Sequence, residues 1–298
     1  MQERKAVLIY NPRAGRHVDP AVPVEAFRAA ARAGGVEVEA RATKGPNDAA
    51  RIAAEAARGG ATDVIARGGD GTVHEAIQGL VGTGARMMVW PAGTANVLAR
   101  QLEIPRGAEE AARVFVKGSS RRITLGAATE ERTGGRRYFF MMAGVGLDAS
   151  VVRSVRPTLK RRLGEAAFWY AGLAHLAHWV PKEFTVEVDG ERLKATYAAV
   201  GKAPWYGGGL AITPRARLDD EEFEVCVIDT HSRLRYLRLL GYAVRGGAPE
   251  EGTAGLTFRR AARLRCTGDM AVQADGELIG DLPMTFEVVK EGLEVIVP

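Results

Sequence analysis

The chain has 298 residues, 46% hydrophobic and 26% charged, a globular composition that excludes a disordered or fibrous protein and allows one large domain or two medium ones. Its 41 basic and 36 acidic side chains give a formal net charge of +5, which turns the surface toward anionic partners (nucleotides, nucleic acid or acidic lipid headgroups) without choosing among them. Two cysteines, Cys226 and Cys266, lie in apolar strand-like segments without metal-ligand spacing and read as buried, reduced thiols.

From the amino terminus, Ala6–Tyr10 is an apolar run that reads as a strand and is too short for a signal sequence or anchor, so no export is expected. Residues 24–33 are Ala-rich and amphipathic, and 47–58 carry Pro46 and Asn47 at the start and Gly59-Gly60 at the end, so both read as helices. Between and after them, 36–42, 63–66 and 87–90 read as strands. Strand and helix alternating in this way predict a mostly parallel sheet with helices on both faces. After about residue 122 longer β runs take over, at 138–143, 184–188, 193–200, 224–228 and 286–289, with Asp189-Gly190 as a hairpin signal. Helical patterns at 160–179 and 234–244 interrupt them. The expected division is an α/β domain over 1–122 and a β-rich domain over 123–298. The apolar stretch 166–180 is broken by His175 and His178 and is shorter than the ~20 residues that span a bilayer, so any membrane contact is expected to be peripheral.

Three loops of the first domain each follow an expected strand, which is where open α/β sheets bind ligands. They are Asn11-Pro12-Arg13-Ala14-Gly15, Gly68-Gly69-Asp70-Gly71-Thr72 and Pro91-Ala92-Gly93-Thr94-Ala95-Asn96. Glycines bring backbone within hydrogen-bond range of phosphate oxygens, and the following helix aims its N-terminal N–H groups at the same place. One such turn serves steric needs as readily as binding; three at one sheet edge, each with Asn, Asp or Thr beside the glycines, read as a polyphosphate cradle. Neither a Walker A loop nor a dinucleotide fingerprint is present.

Gly-Gly-Asp-Gly-Thr is shared by the superfamily of diacylglycerol kinases, sphingosine kinases, NAD kinases and phosphofructokinases, and the chain resembles the bacterial diacylglycerol kinase and related lipid kinase family over nearly its whole length. The resemblance is carried by the 11–15 loop, 68–75, 91–96, Gly144-Val145-Gly146-Leu147-Asp148-Ala149, Tyr206-Gly207-Gly208-Gly209 and Asp275-Gly276-Glu277, in that order. It implies a Rossmann-like ATP-binding α/β domain, a C-terminal β-sandwich domain and an active site in the cleft between them. It further implies that Asn11, Pro12, Arg13, Ala14, Gly15, Thr43, Gly69, Asp70, Gly71, Thr72, Val73, His74, Glu75 and Thr94 contact ATP, with Asp70 anchoring a phosphate-bound Mg²⁺. Read without the resemblance, Asp70 is a capping aspartate in a tight turn and Glu75 a dipole-favoured charge near a helix start.

In the second domain the resemblance makes Asp275 the proton acceptor for the lipid hydroxyl, with Glu277 orienting; Asp-Gly-Glu by itself reads as a hairpin turn. It also implies a second Mg²⁺ site at Arg217, Asp220 and Glu222, built from an aspartate side chain and backbone carbonyls. There the chain departs from the family, with Glu221 in place of the usual glycine; His74 and Val97 likewise replace a common asparagine and aspartate. Arg156, Lys160, Arg161 and Arg162 lie near Phe168, Trp169, Tyr170 and Trp179, a combination that suits an anionic membrane surface or, equally, a packed helix with solvated charges. The expected protein is an ATP- and Mg²⁺-dependent kinase of diacylglycerol or a related lipid, cytoplasmic and peripheral to the inner membrane face. No nucleic-acid partner is expected, for want of a reader motif, and homodimerisation is left open. A kinase of another acceptor, such as a sphingoid lipid or NAD, and a non-catalytic lipid- or nucleotide-binding regulator are the alternatives.

Overall fold

Strand residues 63–68 are buried without exception, as a parallel strand covered on both faces requires. A computed structural model describes residues 4–15, 19–154, 179–206, 210–244, 246 and 255–298. Its first compact unit is Met1–Ile123 with Glu291–Pro298. Here β1 (Ala6–Tyr10), α1 (Ala21–Ala33), β2 (Val38–Ala42), α2 (Asp48–Arg58), β3 (Asp63–Gly68), α3 (Asp70–Leu80), β4 (Arg86–Pro91), α4 (Val97–Gln101) and α5 (Ala108–Lys117) follow one another. The strands pair in parallel in the order β2-β1-β3-β4. The end of the last strand, β18 (Met284–Val297), joins beside β4 through Val295 and Met87. The helices pack in two pairs, α1 with α5 and α2 with α3. On the α1 and α5 side the core is aromatic: Trp90 stacks on Phe27 with centroids 4.7 Å apart, and Phe27 meets Phe115 at 5.8 Å.

The second unit, Thr124–Lys290, holds two antiparallel sheets. One runs β14 (Leu256–Ala261), β13 (Phe223–Ile228), β10 (Tyr197–Gly201), β7 (Met142–Val145), β16 (Ala271–Ala274) and β17 (Glu277–Asp281). In the other, β18 pairs β15 (Arg263–Thr267), then β8 (Phe184–Val188) and β9 (Glu191–Ala195), while β5 (Ser119–Glu130) pairs β18 and β6 (Arg136–Phe139). Val145, Val200, Val225 and Val272 from the first sheet share one buried cluster with Val186, Leu264, Cys266 and Phe286 from the second, which makes the unit a β-sandwich. Helices α6 (Leu147–Ser154) and α7 (Arg233–Val244) and the short pair β11 (Trp205–Tyr206) and β12 (Leu210–Ala211) complete the described elements. Asp189 and Gly190, with φ of 49° and 80°, form the expected two-residue hairpin between β8 and β9.

Three expectations change. The division at 122 and 123 omits the return of residues 291–298 to the first unit, because β18 starts in one unit and ends in the other. The run 138–143 is two strands, since the N–H groups of Phe140 and Met141 turn to a side chain rather than a ladder. The run 193–200 is likewise two, divided at Thr196, whose N–H donates to the Ile228 carbonyl. Cys226 and Cys266 are buried free thiols, and burial pushes both thiol pKa values up. Among the described residues no helix is long and apolar enough to cross a membrane. The helical pattern 160–179, its basic and aromatic residues up to 178, and Gly207 to Gly209 lie outside the described residues. Trp179 is buried and meets Tyr236 edge-on at 5.1 Å, as a core residue.

Candidate active site

In the first unit the three glycine loops meet at the ends of β1, β3 and β4. A Cβ on Gly93 would stand 2.6 Å from Cα of Gly69, so the loop after β4 lies against the loop after β3 because position 93 lacks a side chain. Gly15, with φ of +99°, comes within 3.7 Å of the Ala92 carbonyl by the same measure, and Asn11 Nδ2 is 3.5 Å from Thr72 Oγ1. Asn11 also folds its own loop, its Oδ1 accepting from the Arg13 N–H at 2.9 Å and its carbonyl from the Ala14 N–H. Thr43 lies beside them, its N–H donating to the Tyr10 carbonyl. Pro12, Arg13, Gly71 and Thr94 are exposed, whereas Thr72, Val73 and His74 are buried in the first turns of α3.

Asp70 and Glu75 both have structural partners that sequence reading missed. The carboxylate of Asp70 accepts the Asn96 N–H at 3.0 Å and the Val97 N–H at 2.8 Å, holding the start of α4 against the start of α3. Asn96, at φ 48°, closes the same loop by exchanging hydrogen bonds with both backbone groups of Gly93. Glu75 accepts the Ala49 N–H at 3.2 Å, capping the first turn of α2, whose own Ncap Asn47 makes no side-chain cap. Arg67, one residue before Gly68, is a further cation that sequence reading passed over. Its guanidinium stacks on Trp90 at 4.8 Å, its Nε and Nη1 have no hydrogen-bond partner, and burial lowers its pKa.

In the second unit Asp275 and Gly276, with φ of 49° and 85°, form the two-residue turn between β16 and β17, so the hairpin reading of Asp-Gly-Glu holds. The turn also fixes a carboxylate. Asp275 Oδ2 accepts the Phe140 N–H at 2.9 Å, and Oδ1 accepts the N–H groups of Met141 and Met142 at 3.0 and 3.1 Å. Asp275 is buried, and Glu277 beside it is exposed. Nearby in sequence to that segment, Asp148 accepts the Tyr197 hydroxyl at 3.0 Å; enclosure by protein pushes its pKa up to about 6, against the opposing pull of that hydrogen bond.

The expected second metal site holds basic side chains instead. Arg260 is 2.9 Å from the Asp220 carboxylate and 3.3 Å from Glu222, and Lys202 Nζ donates to the Asp220 carbonyl. Arg217 pairs with Asp219 at 3.7 Å. Among the described residues no group of three or more His, Cys, Asp or Glu could hold a metal ion, and at 217–222 the Asp220 carboxylate and carbonyl, the oxygens a divalent cation would use, already face Arg260 and Lys202.

Residues 5–128 match the diacylglycerol kinase catalytic domain model, and 141–297 match the YegS C-terminal NAD kinase beta sandwich-like domain. A diacylglycerol kinase of Mycobacterium tuberculosis is 32% identical over 256 residues, 85% of this chain and 82% of that protein. The diacylglycerol kinase of Bacillus subtilis is 29% identical over 300 residues, 99% and 97% of the two chains. In fold, the chain matches the crystal structure of a diacylglycerol kinase-type protein from Bacillus anthracis with a TM-score of 0.81 at 23% identity, covering 100% of this chain and 98% of that one. Fold and matched models together define a two-part kinase of the NAD kinase and lipid kinase superfamily. Within it, the chain belongs to the bacterial diacylglycerol kinase and related lipid kinase family.

Proposed function

We propose that this chain transfers the γ-phosphoryl group of ATP to a hydroxyl of diacylglycerol or a closely related lipid, with Asp275 as the base. The observation that carries the reading is a carboxylate fixed by three backbone N–H groups, in a chain whose other unit gathers three glycine loops at one sheet edge. Held in this way, Asp275 is an acceptor that needs no reorganisation when a lipid hydroxyl approaches. The hydroxyl proton passes to Asp275, the lipid oxygen bonds to the γ-phosphorus, and the bond to the bridging oxygen breaks, releasing ADP. Glu277 beside the turn assists by orientation.

The glycine loops present backbone N–H groups to the phosphates, and Arg67 adds a cation with unfilled donors one residue before Gly68. Asp70, whose carboxylate accepts the Asn96 and Val97 N–H groups at the loop edge, is the residue that would hold a nucleotide-borne Mg²⁺. That ion supplies neutralisation of charge on the phosphates. The protein is cytoplasmic in this reading and meets its lipid at the inner membrane face. Exposed Leu234 and Leu237, interleaved with Arg235 and Arg238 at the start of α7, have the apolar and basic character that an anionic bilayer surface favours.

The test is γ-labelled ATP with Mg²⁺ and mixed micelles of diacylglycerol, with an extracted lipid pool and NAD as parallel acceptors. Label in phosphatidic acid is the expected result. Label in NAD alone, or in none of the three, overturns the proposal; label in a different lipid of the pool corrects the acceptor. Flotation with anionic vesicles, lost in Leu234→Asp and in high salt, checks the membrane face.

A further inference from the structure

Lys202, in the segment just after β10, is a lysine with no solvent exposure. A buried ammonium demands oxygen partners, and this one finds the carbonyl of Asp220, in the turn 217–222. The turn is built to present carbonyls. Thr124 Oγ1 donates to the same Asp220 carbonyl at 2.7 Å and to that of Leu218 at 3.1 Å, the Thr124 N–H reaches Leu218 at 2.8 Å, and the Asp220 N–H closes back on Arg217 at 3.2 Å. Carbonyls gathered beside acidic side chains are the setting in which hard cations bind.

The charges of the turn are already matched. Asp219 faces Arg217, Asp220 and Glu222 face Arg260, and Glu221 faces Lys290, with Lys202 as the fourth basic residue against four carboxylates. A divalent ion arriving here meets an ammonium and a guanidinium in place of free ligands. We propose that the Lys202 ammonium is the resident cation of the 217–222 turn, doing by a covalently attached side chain what a bound divalent metal does elsewhere in oxygen-lined turns, so that the second unit requires no metal ion. The N–H groups of Lys202 and Ala203 both donate to the Met141 carbonyl, at 2.7 and 3.1 Å, and Met141 is one of the three residues that hold Asp275. The inference stands on the second unit alone and holds whatever acceptor the enzyme uses.

The test uses the full chain without nucleotide, so that no metal enters on ATP. Manganese binding is followed by the loss of its free paramagnetic signal, and thermal unfolding is recorded in chelator and in Mg²⁺ or Mn²⁺. Wild type is expected to bind no Mn²⁺ up to ~1 mM and to unfold at the same temperature with and without chelator. Lys202→Asn, which opens the space beside the Asp220 carbonyl, is expected to lose about 5 °C or more in chelator, to bind about one Mn²⁺, and to regain most of the loss. Adding Asp220→Asn should abolish both binding and recovery. A wild-type protein that binds Mn²⁺ and loses it in Asp220→Asn overturns the proposal. So does a folded Lys202→Asn variant that is undiminished in chelator, or diminished and not rescued by metal. Should Lys202→Asn fail to fold, the wild-type titration decides alone. Failure of lipid phosphorylation leaves these readings untouched, so the two proposals fail separately.

Discussion

Replacing Asp275 with Asn looks like the gentlest removal of the proposed base, yet the hydrogen bonds around it make the change costly for the fold as well. Three backbone N–H groups converge on the carboxylate, one on Oδ2 and two on Oδ1. A carboxamide offers an acceptor on one side only. In its better orientation the oxygen keeps Met141 and Met142, and the NH₂ group faces the Phe140 N–H, leaving a buried donor without a partner. Such an orphan costs ~1–3 kcal/mol, and the two remaining bonds lose the charge that strengthened them, ~1 kcal/mol more. At ~2–4 °C per kcal/mol for a unit of this size, Asp275→Asn should melt roughly 5–15 °C below wild type. Glu277→Gln, an exposed change in the same turn, should stay within ~0.5 kcal/mol. Differential scanning calorimetry measures both. Turnover is then compared at a temperature where all three proteins are fully folded, with ATP affinity determined alongside. A fall of ~10²–10⁴ with ATP binding kept is the expected result. A variant that melts with wild type refutes the hydrogen-bond reasoning, and a folded variant with wild-type turnover refutes the base.

Gly69→Val should fold and lose most ATP affinity, since a Cβ there meets Gly93 at an ordinary 3.6 Å, whereas Gly93→Ala, whose Cβ would stand 2.6 Å from Gly69, should distort the loop itself; calorimetric ATP titration and melting separate the two. Arg67→Met removes a buried guanidinium with unfilled donors, so the nucleotide-free protein should gain stability while ATP binding weakens; unchanged ATP affinity would make Arg67 a purely structural cation. Asp148 has a folded pKa raised to about 6, so the native state holds its proton more tightly than the unfolded chain between pH 4 and 6, and stability falls as pH rises through that window. Asp148→Asn keeps an acceptor for the Tyr197 hydroxyl and should be more stable than wild type by ~2–3 kcal/mol at pH 7.5 and nearly equal at pH 4; urea unfolding that shows the same difference at both pH values would remove Asp148 as the source.

The sequence made local order legible and left distant partners hidden. β1 and β8 have the limits that their apolar runs suggest, and Asp189-Gly190 makes its hairpin, because neighbouring residues decide each of these. The break between β6 and β7 was invisible because its cause, Asp275, lies more than 130 residues away. Glu75 carries no sign in sequence that it caps α2, and Asp70 none that it grips the start of α4. Glu221 in place of glycine marked the 217–222 turn as unusual, but the residues that answer its charge, Lys202, Arg260 and Lys290, come from separate segments that only the fold assembles. The glycine loops are legible by kind in the sequence; that they touch one another is a property of the fold.

The course of β18 has a consequence for how the protein is made. Leu293, Val295 and Ile296 are buried, and Val295 pairs with Met87 in the parallel sheet of the first unit. During synthesis the ribosome releases strands β1 to β4 early, but β18 emerges only after nearly all of the second unit. Until then β4 presents an open edge and the hydrophobic surface that β18 covers is wet. The first unit is thus completed after the unit that follows it in the chain, and an isolated fragment ending at residue 123 should be poorly soluble. Replacing the apolar residues of 291–298, remote in sequence from every glycine loop, with polar ones should damage ATP binding before it disturbs the β-sandwich.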